Sequence, residues 1–413
     1  MSHSLDVAIV GGGAAGLAAG IFAARRLPGR RIAVLDGARR IGAKILVSGG
    51  GRCNVTNRDV RASDYWGGDR RFIDAVLRVF PADETARFFE ALGVGLHEEP
   101  GGKLFPDSNQ ARTVLDALIA ELARLGVEVR CGVRVRGVAP AAGGGFVLES
   151  EDGLESARAV VLATGGLSLP KSGSDGGGLA IARSLGHTIV STTPALAPLT
   201  LAGGFHPPLS GVSHEASLTL AADGRKPEKL RGSLLWTHFG ASGPLALDAS
   251  RHWHRGVVEG RRVSATLSFL PDLDFAAAES AILAGASARP ALAIRTLLSE
   301  RLPAAVASAL LDSVAVDGST RLARLEREAR RRIVHALTSW DLPITGSRGY
   351  NYAEATAGGV ALDEVDRGSM ASKVCLGLFL AGEMLDVDGR LGGFNFQWAW
   401  SSAYVAGRGV ADR

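Results

Sequence analysis

The stretch Val7 to Gly20 reads V-A-I-V-G-G-G-A-A-G-L-A-A-G, and its spaced glycines Gly11, Gly13 and Gly16 are the residue types that bring a main chain close to a phosphate. Gly11 permits a tight turn, Gly13 lets the backbone approach a pyrophosphate, and Gly16 lets the following helix pack on a sheet. That helix would present free N–H groups to the phosphate oxygens. Asp36, 20 residues after Gly16 and closing Ile32-Ala-Val-Leu35, stands where a carboxylate accepts hydrogen bonds from a ribose diol. A second set of chemistry-bearing residues lies near the C-terminus. Gly382 and Glu383 follow the apolar run Leu376-Gly-Leu-Phe-Leu-Ala381, and Gly392-Gly393-Phe394-Asn395 opens a helical pattern that runs through Gly407.

A ligand gripped from both ends of a chain must be long, which points to FAD. The Glu383 carboxylate would hydrogen-bond its ribityl or pyrophosphate region. The amides of the helix at Gly393 to Asn395 would face the ring and stabilise negative charge that develops there on reduction. Flavin chemistry then needs a positioned substrate and a proton partner. His238 is the first candidate for that proton or for anchoring a substrate carbonyl or carboxylate, with a structural histidine as the alternative. Arg52 would pair with an anionic substrate or reduced flavin, or bond loop carbonyls. Cys53 is either redox-active or packed as a small apolar residue, since no partner cysteine is near it in sequence. Lys103, Tyr350 and Asn351 are weaker candidates for the cleft.

These residues need elements to hold them. Strand and helix patterns alternate from residue 5 to 190, with helical periodicity in Arg71–Phe80, Asp83–Leu92 and Ser108–Leu125 and short strands at Val127–Arg130, Val133–Val138, Gly145–Ser150 and Ala157–Leu162. The segment Lys44 to Asn57 is expected to be an irregular loop crossing the ligand. From about Ser191 prolines punctuate the chain, and alternating segments at Ala216–Ala221, Gly232–His238 and Arg262–Leu270 give way to helical ones at Phe275–Ala286, Ala291–Arg301, Ala304–Asp312 and Arg321–Ser339. The expected fold class is therefore α/β: a Rossmann-like FAD-binding domain over residues 1–190 and 341–413, interrupted by an inserted β-plus-helix substrate or lid domain over 191–340.

Composition excludes several classes. Three cysteines, Cys53, Cys131 and Cys375, with no C-x-x-C, rule out a disulfide framework and a dithiol mechanism and suit a reducing cytoplasm. His252 and His254 alone do not make a metal site, and no metal is expected. The uncharged run Val7 to Ala24 approaches membrane-span length, but five of its residues are glycines and the fingerprint accounts for it. Neither a signal peptide nor a membrane span is expected. Net charge is only +4, and the basic run Arg324 to Arg332 reads as a solvated helix face, so nucleic acid is not expected as a partner. The sequence leaves the oligomeric state open.

Six motifs taken together resemble the bacterial BaiN/RdsA-type family of NAD(P)/FAD-dependent oxidoreductases. They are Ser48-Gly-Gly-Gly-Arg-Cys-Asn-Val-Thr-Asn57, Phe105-Pro106, Ala163-Thr-Gly-Gly166, Trp236-Thr-His-Phe-Gly-Ala-Ser-Gly-Pro244, Ala357-Gly-Gly-Val360 and the segment Gly382 to Gln397. The resemblance covers nearly the whole chain and implies that the FAD-binding domain is of glutathione-reductase type, interrupted by an insert, and that FAD is non-covalent. It assigns the pyrophosphate to Gly11, Gly13, Ala14, Ala15 and Gly16, and the adenosine ribose to Asp36. Lys44 and Gly50, Gly51, Arg52 and Cys53 would line the middle and flavin end, and Val135 would meet adenine through its backbone. Thr164 and Gly165 would sit beside the dinucleotide, and Gly382, Glu383, Gly393, Phe394 and Asn395 would hold the ribityl chain and ring. The segment Ala355 to Val360 matches the family pattern only loosely. With no second strand-GxGxxG-helix unit, NADH or NADPH either binds transiently at the flavin or is not the donor, and transient binding is the expectation. The expected reaction is hydride transfer to a C=C or related bond of a small organic substrate. The alternatives are a flavin-dependent tRNA-modifying protein and a low-turnover flavin-bound sensor or structural protein.

Overall fold

A computed structural model of the chain describes residues Leu5–Asp412. It divides into two compact units, 5–194 with 354–412, and 195–353.

In the first unit, β1 (Leu5–Val10) and β2 (Ile32–Asp36) are almost wholly buried, because parallel strands covered on both faces need unbroken apolar runs rather than alternation. The helix α1 (Ala14–Arg26) connects them. The sheet runs in the order Glu128–Cys131, β2, β1, β3 (Gly153–Leu162), Phe146–Ser150, Val135–Pro140. The last half of β3 also pairs in parallel with β4 (Leu378–Leu380), registering Val160 to Leu378 and Leu162 to Leu380. The chain thus returns after the second unit to the same sheet.

The terminal helix α2 (Phe394–Ala411) is apolar and buried on most of its circumference, as a core helix must be. It lies against α1, where a Cβ on Gly407 would come within 2.7 Å of the Phe22 Cβ. Its buried polar groups are satisfied. Gln397 accepts from the Thr56 hydroxyl at 2.5 Å and donates to the Phe80 carbonyl at 2.9 Å, while the Trp400 indole donates to the Val55 carbonyl at 2.9 Å.

The segment expected to be an irregular loop is partly regular: Ala43–Val47 forms a short helix and Ser48–Gly51 a 3-10 turn. The glycines there do not break structure but bend it, with Gly49, Gly50, Gly51 and Cys53 all at positive φ.

The second unit holds a seven-stranded antiparallel sheet ordered Trp340–Asp341, Val263–Ser268, Ser213–Ala222, Glu228–Thr237, Gly240–Ser242, Leu199–Leu201, Ile344–Ser347. Helices Gly243–Val258, Phe275–Ala288, Ala304–Ser313 and Arg327–Thr338 complete its core around Trp236, Leu267, Phe269 and Ile333. The unit extends to Ala353 rather than 340 because Trp340 and Ile344–Ser347 are hydrogen-bonded strands of this sheet. Among the described residues no helix is long and apolar enough to cross a membrane.

Candidate functional site

Four parallel strands of the first unit end at one cavity of about 1180 Å³, counting its open mouth, lined at Val10–Ala15, Leu35–Ala38, Ala163–Gly165 and Glu383. Carboxyl ends of parallel strands are where open α/β sheets bind ligands. The glycines at this edge are required sterically. A Cβ on Gly11, whose φ is 105°, would lie 2.5 Å from the Ala163 carbonyl oxygen, and one on Gly16 would lie 1.8 Å from that of Gly11. A Cβ on Gly13 would meet nothing within 4 Å, so the main chain is open on that side.

α1 starts at this point with neither a side-chain cap nor an acidic residue in its first turn. Its leading amides and positive dipole end are therefore available to an anion. Asp36 is fixed by the backbone: Oδ2 accepts from Gly12 N–H at 2.5 Å and Oδ1 from Ala38 N–H at 2.7 Å. Each oxygen keeps a lone pair for a ribose hydroxyl.

At the other end Lys44 forms an ion pair with Glu383 and donates to the Ser168 hydroxyl at 2.6 Å. Ser168 donates to Glu383 Oε1 at 2.6 Å, and Thr356 N–H donates to the same oxygen at 2.9 Å. The Thr356 hydroxyl in turn accepts from the amides of Leu167 and Ser168 at 2.8 and 3.0 Å. A cation and a carboxylate, each with fixed partners, thus line the cavity beside Asn395, Phe396 and Ala399 of α2. α2 also begins without a side-chain cap or an acidic first turn. Its N-cap Gly393, at φ 93°, could not bear a side chain, since a Cβ would meet the Thr56 backbone at 2.5 Å.

Of the residues named from sequence, Gly11, Gly13, Ala14, Ala15, Asp36, Lys44, Val135, Thr164, Gly165, Glu383 and Asn395 line the cavity. Gly16, Gly382, Gly393 and Phe394 lie outside the lining and shape it by packing: Gly382 N–H donates to Ser402 at 2.9 Å, and Phe394 sits edge-on to Tyr65. Gly50 and Gly51 are exposed on the 3-10 turn, off the lining. Arg52 also lies off it, held by Glu99 at 2.5 Å with its guanidinium 4.2 Å from the Phe105 ring centre. Cys53 is buried in the core, and burial pushes its thiol up to about 12, so at neutral pH it is not a thiolate. His238 belongs to the second unit, exposed between two antiparallel strands. Sequence reasoning missed Ser168, Thr356, Arg134 and Asp175. The first two lie inside or next to quoted motifs, but only their partners far along the chain give them a role.

The chain matches the HI0933-like protein Rossmann domain over residues 5–409. It belongs to that family. The HI0933-like chain is 34% identical over 407 residues to a 3-dehydro-bile acid delta(4,6)-reductase of Clostridium scindens, covering 98% of this chain and 99% of the relative. It is 33% identical over 407 residues to a ribosomal RNA dihydrouridine synthase of Escherichia coli, covering 97% and 96%. Among solved structures, a 3-ketosteroid delta1-dehydrogenase from Sterolibacterium denitrificans superposes with a TM-score of 0.53 at 14% identity over all of both chains. The fumarate reductase subunit FrdA of E. coli gives 0.51 at 18%, covering 99% of this chain and 70% of that one. These two likenesses show the fold. With its family and the reductase relative, this HI0933-like chain is an FAD-type oxidoreductase built on a Rossmann domain.

Proposed function

We propose that the chain reduces a C=C bond conjugated to a carbonyl, with FAD held in the first-unit cavity and reduced nicotinamide as a transient donor. The observation that carries this reading is the convergence of two uncapped helix N-termini and the Asp36 and Glu383 carboxylates on one cavity. The amides of Gly13 to Ala15 would bind the pyrophosphate, Asp36, itself held by the Gly12 amide, would orient the adenosine ribose, and the Val135 main chain would face adenine. Lys44 and Glu383, pinned by Ser168 and Thr356, hold the ribityl region. Phe396 and Ala399 supply an apolar wall that excludes water, and Asn395 stands at the ring end. When bound, flavin supplies hydride transfer through its N5 atom.

The relatives' names describe one bond type on two carriers: the ring double bonds of a keto-steroid and the uracil 5,6-bond, each conjugated to a carbonyl. A small organic substrate is the first reading. His238 is its proposed proton partner or carbonyl anchor, supported by its exposure at a strand turn. An RNA-borne uracil is the second reading, supported by the charge of the second unit: residues 195–353 hold 18 Lys and Arg against 14 Asp and Glu, and the remainder holds 28 of each.

Anaerobic mixing of the flavin-loaded protein with NADH or NADPH is expected to bleach the flavin, and the reduced protein to reoxidise on adding an enone. No bleaching with either donor removes the nicotinamide step; bleaching without enone turnover removes the substrate class. Retention of RNA at low salt and its loss at high salt would favour the second carrier. His238→Gln is expected to lower kcat and flatten its pH profile while leaving flavin binding unchanged. An unaltered profile would sink that role.

A further inference from the structure

The nucleoside end of the cavity is crossed by a segment that the dinucleotide fingerprint does not include. Gly132 N–H donates to the Ala38 carbonyl at 3.0 Å and Val133 N–H to the Asp36 carbonyl at 2.9 Å, so the chain passes directly over the end of β2. The next residue, Arg134, lays its stem on Gly37, where a Cβ would come within 2.5 Å of the arginine Cδ. Its guanidinium ends on Asp175, on the loop that leads into the helix Gly177–Ser184. Asp175 is itself tethered, since Oδ1 accepts from Gly177 N–H at 3.0 Å while Oδ2 takes the arginine. Both residues line the cavity. Gly173 and Gly176, at φ 103° and 86°, shape the turn that presents the aspartate in left-handed backbone that favours glycine.

We infer that Arg134 and Asp175 form a clasp over the adenosine end of the cavity that sets how fast the dinucleotide leaves; this rests on the FAD reading above. With side chains 36% and 42% exposed, the pair is reached by solvent and salt. It is strong enough to slow release and weak enough to open. Arg134 covers the nucleoside through its stem, and the ion pair joins the ribose-side wall to the loop on the other side of the groove. No group transfer is involved, and the pair acts on binding alone.

The test is the rate at which FAD leaves the loaded protein, followed by flavin fluorescence after dilution into buffer holding an excess of an apo-flavoprotein that takes up FAD. Asp175→Asn removes the charge but keeps an oxygen to cap Gly177, and Arg134→Met removes the charge but keeps a stem against Gly37. Each is expected to speed release about fivefold, with the double variant no faster than either single one. Raising salt should accelerate release from the natural protein but not from the variants. Exchanging the charges, R134D with D175R, should restore slow release in part. Release rates within twofold of the natural protein, or effects that multiply in the double variant, overturn the clasp. A natural chain that retains no FAD at all takes down the cofactor reading and the clasp with it, whereas bound FAD with unchanged release rates takes down the clasp alone.

Discussion

The two units handle charge in opposite ways. The first is close to electrical balance, with 27 basic and 28 acidic residues among those described, and offers its ligand partial charges fixed in the backbone at Gly13 to Ala15 and at the start of α2. The second carries the whole net charge of +4 on side chains. The histidines whose titration burial depresses all lie on one side of this division. Burial holds His206, His214, His252 and His254 below the usual imidazole value, to about 3 for His252 and about 4 for His254, and all four belong to the second unit. Among the carboxylates of the first unit, Glu121 is held down to about 2 by Arg124 and then Arg25. Fixed dipoles cost no side-chain entropy when a ligand arrives, which suits a permanent cofactor.

The largest way to break this comparison is to fill a glycine at the sheet edge. Gly11→Ala is expected to abolish FAD retention and to cost the first unit about 1–3 kcal/mol through its forced left-handed backbone, while the thermal transition of the second unit stays put. Equal shifts of every transition would show that the units do not behave separately.

Acid should separate them next. The four depressed histidines are neutral when folded and titrate near 6.5 when unfolded, so the unfolded second unit binds more protons as pH falls below 6.5. Its stability is full above that value and is lost progressively down to about 4 and 3, the folded values of His254 and His252. Glu121 contributes stability above its unfolded value near 4.5 that is lost only as pH falls toward about 2. Circular dichroism on acid titration should therefore show the second unit failing first; a single transition below pH 4 would contradict the assignment.

A smaller effect tests the first unit alone. His187 is buried, with Nδ1 2.9 Å from Glu364 and Nε2 2.9 Å from the Ser372 hydroxyl, which also accepts the amides of Val374 and Cys375. His187→Ala removes one hydrogen bond from each partner and should cost about 1–3 kcal/mol in denaturant unfolding. Arg52→Gln should do least. Its solvent-reached pair with Glu99 contributes little to stability, and neither the unfolding midpoint nor the flavin spectrum should change. A lost or shifted flavin spectrum would return Arg52 to the ligand.

Much of the cofactor end was legible because its rules are local. The glycines that turn the chain, the strand before them and the acid after them lie within one βαβ unit, so their spacing alone carries the geometry. The motif Ser48 to Asn57 was equally visible, but its interior was not. Arg52 and Cys53 have the chemistry of active-site residues, and nothing near them in sequence reveals that Glu99 and Phe105 occupy the first and burial silences the second.

The amino-acid order by itself determined the dinucleotide fingerprint, the alternation that makes a parallel sheet, and the return of the chain at Leu378 to Glu383, because each depends on neighbours a few residues apart. Tertiary structure alone decided which side chains meet. Lys44 reaches Ser168 and Glu383, Thr356 fixes both of the latter, and Arg134 reaches Asp175, through contacts spanning 124, 339 and 41 residues for the first, second and last of these pairs. Periodicity carries no information over such distances. Only the packing of strands around one cavity brings those charges together.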